Sequence, residues 1–114
     1  DTMNCLYITE NPYDTMERML PKAYCCHFSD DIVVTDPLGV HIIGAPHGQG
    51  SMDCPKMVAQ IREKSPMDKI IFENEIAFKS VDEPIEEARA REMAACEESI
   101  RYLREELKLG LRGR

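Results

Sequence analysis

At 114 residues with 43% apolar and 31% charged side chains, the chain has the size and composition of one globular domain rather than a disordered segment. Its net charge of −7 argues against a general nucleic-acid binder, because such proteins gain affinity by neutralising phosphates with Lys and Arg. No apolar run approaches the roughly 20 residues that span a bilayer, and no charged-then-apolar leader precedes a small-residue cleavage site, so neither a membrane protein nor a secreted one is expected.

The five cysteines, Cys5, Cys25, Cys26, Cys54 and Cys96, are odd in number and lack the paired spacing of a disulfide framework or zinc ribbon. They point to reduced thiols in a cytoplasm. The chain opens on Asp1 rather than Met, which predicts a piece entered partway with sequence missing upstream, whereas its long last helix and short basic tail read as a natural end.

In chain order, Asn11-Pro12 opens a helix: Asn caps, and Pro is tolerated in the first turn where its missing N–H is not needed. Tyr13, Met16 and Leu20 supply its apolar face, and Pro21 stops it. Residues 22–28 alternate as a strand, with Ala23, Cys25 and His27 on one face and Tyr24, Cys26 and Phe28 on the other. His27 thus ends a strand. Residues 29–52 read as a long connection containing Asp36-Pro37-Leu38-Gly39 and Gly48-Gln49-Gly50, of the kind that often carries function.

Asp53 is an N-cap, Pro55 lies in the first turn, and Met57, Val58 and Ile61 recur at helical spacing until Ser65-Pro66. Residues 69–75 then begin as a near-continuous apolar run, the pattern of a strand buried on both faces of a parallel sheet, and end in acid. From about Glu83 to Leu109 the spacing of Ile85, Met93, Cys96, Ile100, Leu103 and Leu107 predicts a long amphipathic helix with Gly110 at its C-terminal cap. Strands alternating with helices imply βα units around a parallel sheet, whose ligands gather at the C-terminal strand ends.

Asp1, His27 and Glu73 all occupy that position. Mixed oxygen and imidazole donors suit Mn²⁺, Mg²⁺, Co²⁺ or Zn²⁺. Consecutive strand residues face opposite ways, so Cys25 and Cys26 do not converge on one ion with His27.

Four stretches resemble the xylose-isomerase-like superfamily of sugar-phosphate isomerases and epimerases. Asp1-Thr-Met-Asn4 is similar to its Asp-Thr-Gly-Asn or Asp-x-x-His strand end, and His27-Phe-Ser-Asp30 to its His-x-Lys-Asp or His-x-Asn-Asp end. Gly48-Gln-Gly-Ser-Met-Asp53 resembles the Gly-Glu-Gly-x-x-Asp before the penultimate helix, and Ile70-Ile-Phe-Glu73-Asn-Glu75 the final strand. The resemblance implies an α/β fold in which residues 1–114 form the last three βα units of a (β/α)₈ TIM barrel, with the N-terminal units absent.

It further implies that Asp1, His27 and Glu73 are metal ligands and that a fourth, a Glu, comes from the missing half. The substrate would be a sugar or sugar phosphate, deprotonated by a carboxylate to an enediolate that the metal stabilises. Glu73 would be one acid–base group, and the fragment alone would be inactive. Asn4, Ser29 and Gln49 depart from the family's pattern. Asp30 would orient the His27 imidazole, with Asn4, His41, His47 and Glu75 as further substrate or supporting residues.

Two other readings stand beside this one. Asp36, His41 and His47 invite comparison with the three-metal endonuclease branch of the same fold, although that branch's Asp-x-His spacing is missing. A small non-catalytic α/β binding module is the other. An uncovered sheet edge and inner face would leave the fragment prone to aggregate or to form a homo-oligomer.

Overall fold

The computed structural model describes residues 1–110. A 3₁₀ turn (Asn4–Ile8) leads to α1 (Pro12–Met19), β1 (Cys25–Phe28), β2 (Asp31–Asp36), β3 (Gly39–Gly44), α2 (Cys54–Lys64), β4 (Lys69–Phe72) and α3 (Ile85–Glu105). The architecture is α/β. It divides into two units, one of Asp1–Ser29 with Asp53–Glu73, the other of Asp30–Met52 with the chain from Asn74 onward. None of the described helices is long and apolar enough to cross a membrane.

In the first unit β1 and β4 run parallel, with Cys25 opposite Lys69 and Phe28 opposite Phe72. The caps fall where the sequence puts them. The Asn11 side chain accepts from the N–H groups of Tyr13 and Asp14, and Asp53 accepts from Lys56 N. Pro21 continues α1 as a 3₁₀ turn, Leu20–Lys22, so β1 begins at Cys25 rather than at Lys22. The helices lie together: Gln60 Nε2 donates to Tyr13 O at 3.2 Å, and the Lys56 ammonium sits 4.1 Å from the Tyr13 ring centroid. Met16, Leu20, Phe28, Cys54, Met57, Val58 and Ile61 are buried.

The expectation that β4 is buried on both faces fails. The strand alternates exposed and half-buried, and Ile71 keeps 47% of its surface accessible. An apolar run gains two covered faces only when layers pack on both sides of the sheet; among the described residues this sheet has two strands.

In the second unit the expected long connection is instead an antiparallel hairpin, β2 with β3, paired from Asp31 opposite Gly44 to Asp36 opposite Gly39. Ile32, Val33 and Val34 on one side of Asp36-Pro37-Leu38-Gly39, and Val40, Ile42 and Ile43 on the other, are β-branched residues flanking a turn. Asp36 Oδ1 accepts Leu38 N–H at 2.7 Å, closing the turn, and Gly39 supplies φ 137°.

The expected face of α3 holds at its C-terminal end, where Leu103 and, just past the helix, Leu107 are buried, and fails before them. Ile85, Met93 and Ile100 are exposed, whereas Ala88, Ala95 and Ser99 are buried. Small residues allow close approach: Ser99 accepts His47 N–H at 3.0 Å and donates to Asn74 Oδ1 at 3.4 Å. The helix closes at Glu106, and Lys108 (φ 56°) turns left-handed before Gly110 (φ 65°).

Upstream of α3, Glu83 fastens the 77–83 segment. It accepts from the two terminal guanidinium nitrogens of Arg91 and from the N–H of Lys79, while Arg91 also donates to Ala77 O. The Arg91 guanidinium holds the Glu83 carboxyl at about 2, against an ordinary 4.5. A carboxyl depressed on folding stabilises above its unfolded value, so this contribution is complete above pH 4.5 and is lost as pH falls towards 2. The thermal midpoint of the wild type should exceed that of Glu83→Gln near neutral pH and converge on it through that window; a gap that does not change with pH rejects the assignment.

A Cβ on Gly44 would lie 1.6 Å from the Glu75 carbonyl oxygen. Gly44→Ala should therefore lower stability by about 2 kcal/mol or more, read from the urea unfolding midpoint. An unchanged midpoint would show that the two backbone segments part without cost.

Candidate metal centre

The end of β1 is flanked by main-chain hydrogen bonds on both sides. Thr2 N donates to His27 O at 3.1 Å, and Glu73 N donates to Phe28 O at 3.2 Å. Successive carbonyls of a strand point to opposite edges, so one segment docks on each side of β1. Asp1 and Glu73 are thereby carried to either side of His27.

The three side chains meet. His27 Nδ1 lies 3.0 Å from Glu73 Oε2 and 3.9 Å from Asp1 Oδ2. One ligand atom from each falls within 4.8 Å of the others, the only such group of three or more among the described residues. Ligands about 2.1 Å from an octahedral ion stand about 3.0 Å apart when adjacent and about 4.2 Å when opposite. The His27–Glu73 separation matches an adjacent pair, and the His27–Asp1 separation lies between the two limits. The donor set and its spacing fit a small divalent cation.

Each carboxylate is already oriented. Asp1 Oδ1 accepts the N–H groups of Met3 at 2.7 Å and Asn4 at 3.1 Å, just ahead of the first 3₁₀ turn. This leaves Oδ2 towards His27. Asn4, anticipated as a supporting residue, thus acts through its main chain. Thr2 Oγ1 accepts Ser29 N–H at 3.1 Å and donates to Ser29 O at 3.4 Å, tying the Asp1 segment to the end of β1. The Ser29 hydroxyl donates to Glu73 Oε2 at 3.4 Å.

Thr2 is the contributor that sequence reasoning missed; a hydroxyl beside an expected ligand carried no pattern of its own. Cys26, next to His27, has its thiol pushed up by burial, which disfavours the thiolate a metal requires.

The remaining candidates belong to the second unit. Asp30, put forward as the partner of the imidazole, is buried; Oδ2 accepts the N–H groups of Gly48 and Gly50 at 2.9 Å each and Oδ1 that of Met52 at 3.2 Å. Its carboxylate is the anchor of the 48–52 turn. Within the first unit, the carboxylate beside His27 Nδ1 is Glu73. His41 Nε2 pairs with Asp36 Oδ2 at 2.9 Å across the hairpin. His47 is 1% exposed and bound through its main chain to Ser99. Glu75 is exposed, with its carbonyl packed on Gly44.

The chain matches no protein-family model, no curated protein and no solved structure.

The Thr2 brace is separable from the ligands. Thr2→Val keeps shape but leaves the buried Ser29 N–H without its acceptor, and should cost about 1–3 kcal/mol in denaturant unfolding, whereas Thr2→Ser should recover most of the loss. Equal stability of the Val variant and the wild type would show that the brace contributes nothing.

Proposed function

We propose that Asp1, His27 and Glu73 hold a divalent cation, Mn²⁺, Mg²⁺, Co²⁺ or Zn²⁺, at the strand ends of a xylose-isomerase-like (β/α)₈ barrel that isomerises or epimerises a sugar or sugar phosphate. The observation that carries this reading is the meeting of one imidazole and two carboxylates within 4.8 Å at the end of a parallel strand pair. The order of the four family-like stretches supports the barrel, and the parallel pairing of β1 with β4 agrees with consecutive barrel strands.

The cation, when bound, would hold adjacent substrate oxygens and stabilise the negative charge developing on them. Glu73 receives the proton from the reacting carbon through its second oxygen, Oε1, which no described residue reaches by a hydrogen bond. His27 enters neutral, as a ligating imidazole must. Asp1 contributes one oxygen, because its other accepts the N–H groups of Met3 and Asn4. Delivery of a proton, to the neighbouring carbon in an isomerisation or to the opposite face of the same carbon in an epimerisation, falls to a second carboxylate, which the family resemblance puts on an earlier barrel strand. The 114-residue chain is then a metal-binding body without turnover of its own.

Titration with Mn²⁺ followed by the loss of the free-ion electron paramagnetic resonance signal tests this directly. The wild-type chain should bind one ion, and Glu73→Gln should weaken binding by roughly a hundredfold, about 2.7 kcal/mol, as expected for loss of a charged ligand. Undiminished free signal with the wild-type chain would defeat the proposal.

A further inference from the structure

The two oxygens of Glu73 are in unequal surroundings. Oε2 accepts the Ser29 hydroxyl at 3.4 Å and lies 3.0 Å from His27 Nδ1. No described residue hydrogen-bonds to Oε1. Ser29 is only 8% exposed, so its hydroxyl sits in a fixed, poorly hydrated position. The Thr2 hydroxyl grips Ser29 through its main-chain N–H and C=O, not through its side chain. The Ser29 hydroxyl is therefore positioned from behind while remaining available to Glu73.

We infer that Ser29 is a positioning residue of the metal centre, holding Glu73 so that it ligates through Oε2 alone and keeps Oε1 off the ion. This rests on the metal reading of Asp1, His27 and Glu73. A carboxylate oxygen has two lone pairs; with one occupied by Ser29, Oε2 retains one for a cation. Swinging Oε1 into bonding range would stretch a Ser29 contact already at the long end of hydrogen bonding. A carboxylate without that tether is free to rotate, which costs the ligand its fixed orientation towards the ion and lets Oε1 exchange with Oε2, removing the dedicated base.

His27 cannot replace this control. Its Nδ1 faces the same Oε2 and, once bound to an ion, has no proton to donate. Asp1 is fixed by a different device, the two main-chain N–H groups on Oδ1. The three ligands are thus held by two independent sets of donors, and Ser29 is the side-chain donor that acts on Glu73. A hydroxyl, short and neutral, places a hydrogen bond here without adding a second cation beside the metal.

Ser29→Ala separates this role from folding, since the Thr2 contacts use only the main chain of residue 29. Mn²⁺ affinity of Ser29→Ala should fall roughly ten- to hundredfold, in the range of lost supporting contacts to metal ligands. The visible absorption of the Co²⁺-loaded variant should shift as Glu73 changes its mode of ligation. Ser29→Thr, which keeps the hydroxyl, should restore both readouts, and the thermal midpoint of the metal-free Ala variant should match that of the wild type.

Wild-type Mn²⁺ affinity and an unaltered Co²⁺ spectrum in Ser29→Ala, alongside loss of binding in His27→Ala, would overturn the role of Ser29 and leave the metal centre standing. Equal weakening in the Ala and Thr variants would overturn it too, by showing that shape rather than the hydroxyl matters. Absence of bound Mn²⁺ in the wild-type chain would remove the metal reading and this inference together.

Discussion

The opposed directions of two consecutive carbonyls, His27 and Phe28, govern the candidate centre. Because one accepts from Thr2 N and the other from Glu73 N, the flanking segments are locked at the same level of β1. The side chains of Asp1, one residue before Thr2, and of Glu73 itself then converge without any long loop to position them. A ligand set built on main-chain hydrogen bonds at strand ends has small positional freedom, which metal coordination requires. The Thr2 hydroxyl strengthens the same arrangement by engaging Ser29 on both its N–H and its carbonyl.

A second carboxylate problem is solved differently. Asp30 is buried and would carry a heavy desolvation cost if left alone. Three N–H groups from the 48–52 turn meet it, so peptide dipoles stabilise the charge. A Cβ on Gly50 would lie 2.0 Å from Asp30 Oδ1, which explains the second glycine of Gly48-Gln49-Gly50 as a matter of space rather than of backbone angle. The same stretch looked like a functional motif in the sequence, and its structural work is the wrapping of an acid.

What could be read in advance follows from how local each signal is. Both caps, Asn11 and Asp53, and the residues Met57, Val58 and Ile61 depend on neighbours within one or two turns, and they stand as read. The approach of His27 and Glu73 was also legible, because parallel βα order makes the ends of β1 and β4 neighbours, whereas Asp1, expected at a strand end, lies on no strand and precedes a 3₁₀ turn. The hairpin was missed because Pro37 and Gly39 were weighed as loop formers, while the β-branched residues on either side were not counted as paired strands. The face of α3 was misjudged because apolar size was taken as the mark of burial. Close packing there selects Ala88, Ala95 and Ser99, and the larger Ile85 and Met93 lie outside.

The choice of cation follows from what surrounds the three ligands. Two carboxylates and one imidazole form a hard-to-borderline donor set, suited to Mn²⁺, Mg²⁺, Co²⁺ or Zn²⁺ rather than to soft ions that demand sulfur. The thiol nearest in sequence, Cys26, sits on the alternate face of β1 and is kept from ionising by its burial. Asp1 and His27 are exposed and Glu73 is half-buried, so the centre has room on its open side for further oxygen ligands. Under the proposed reading, that open side is where the carboxylate expected from an earlier barrel strand and a substrate's oxygens would complete the coordination of an ion.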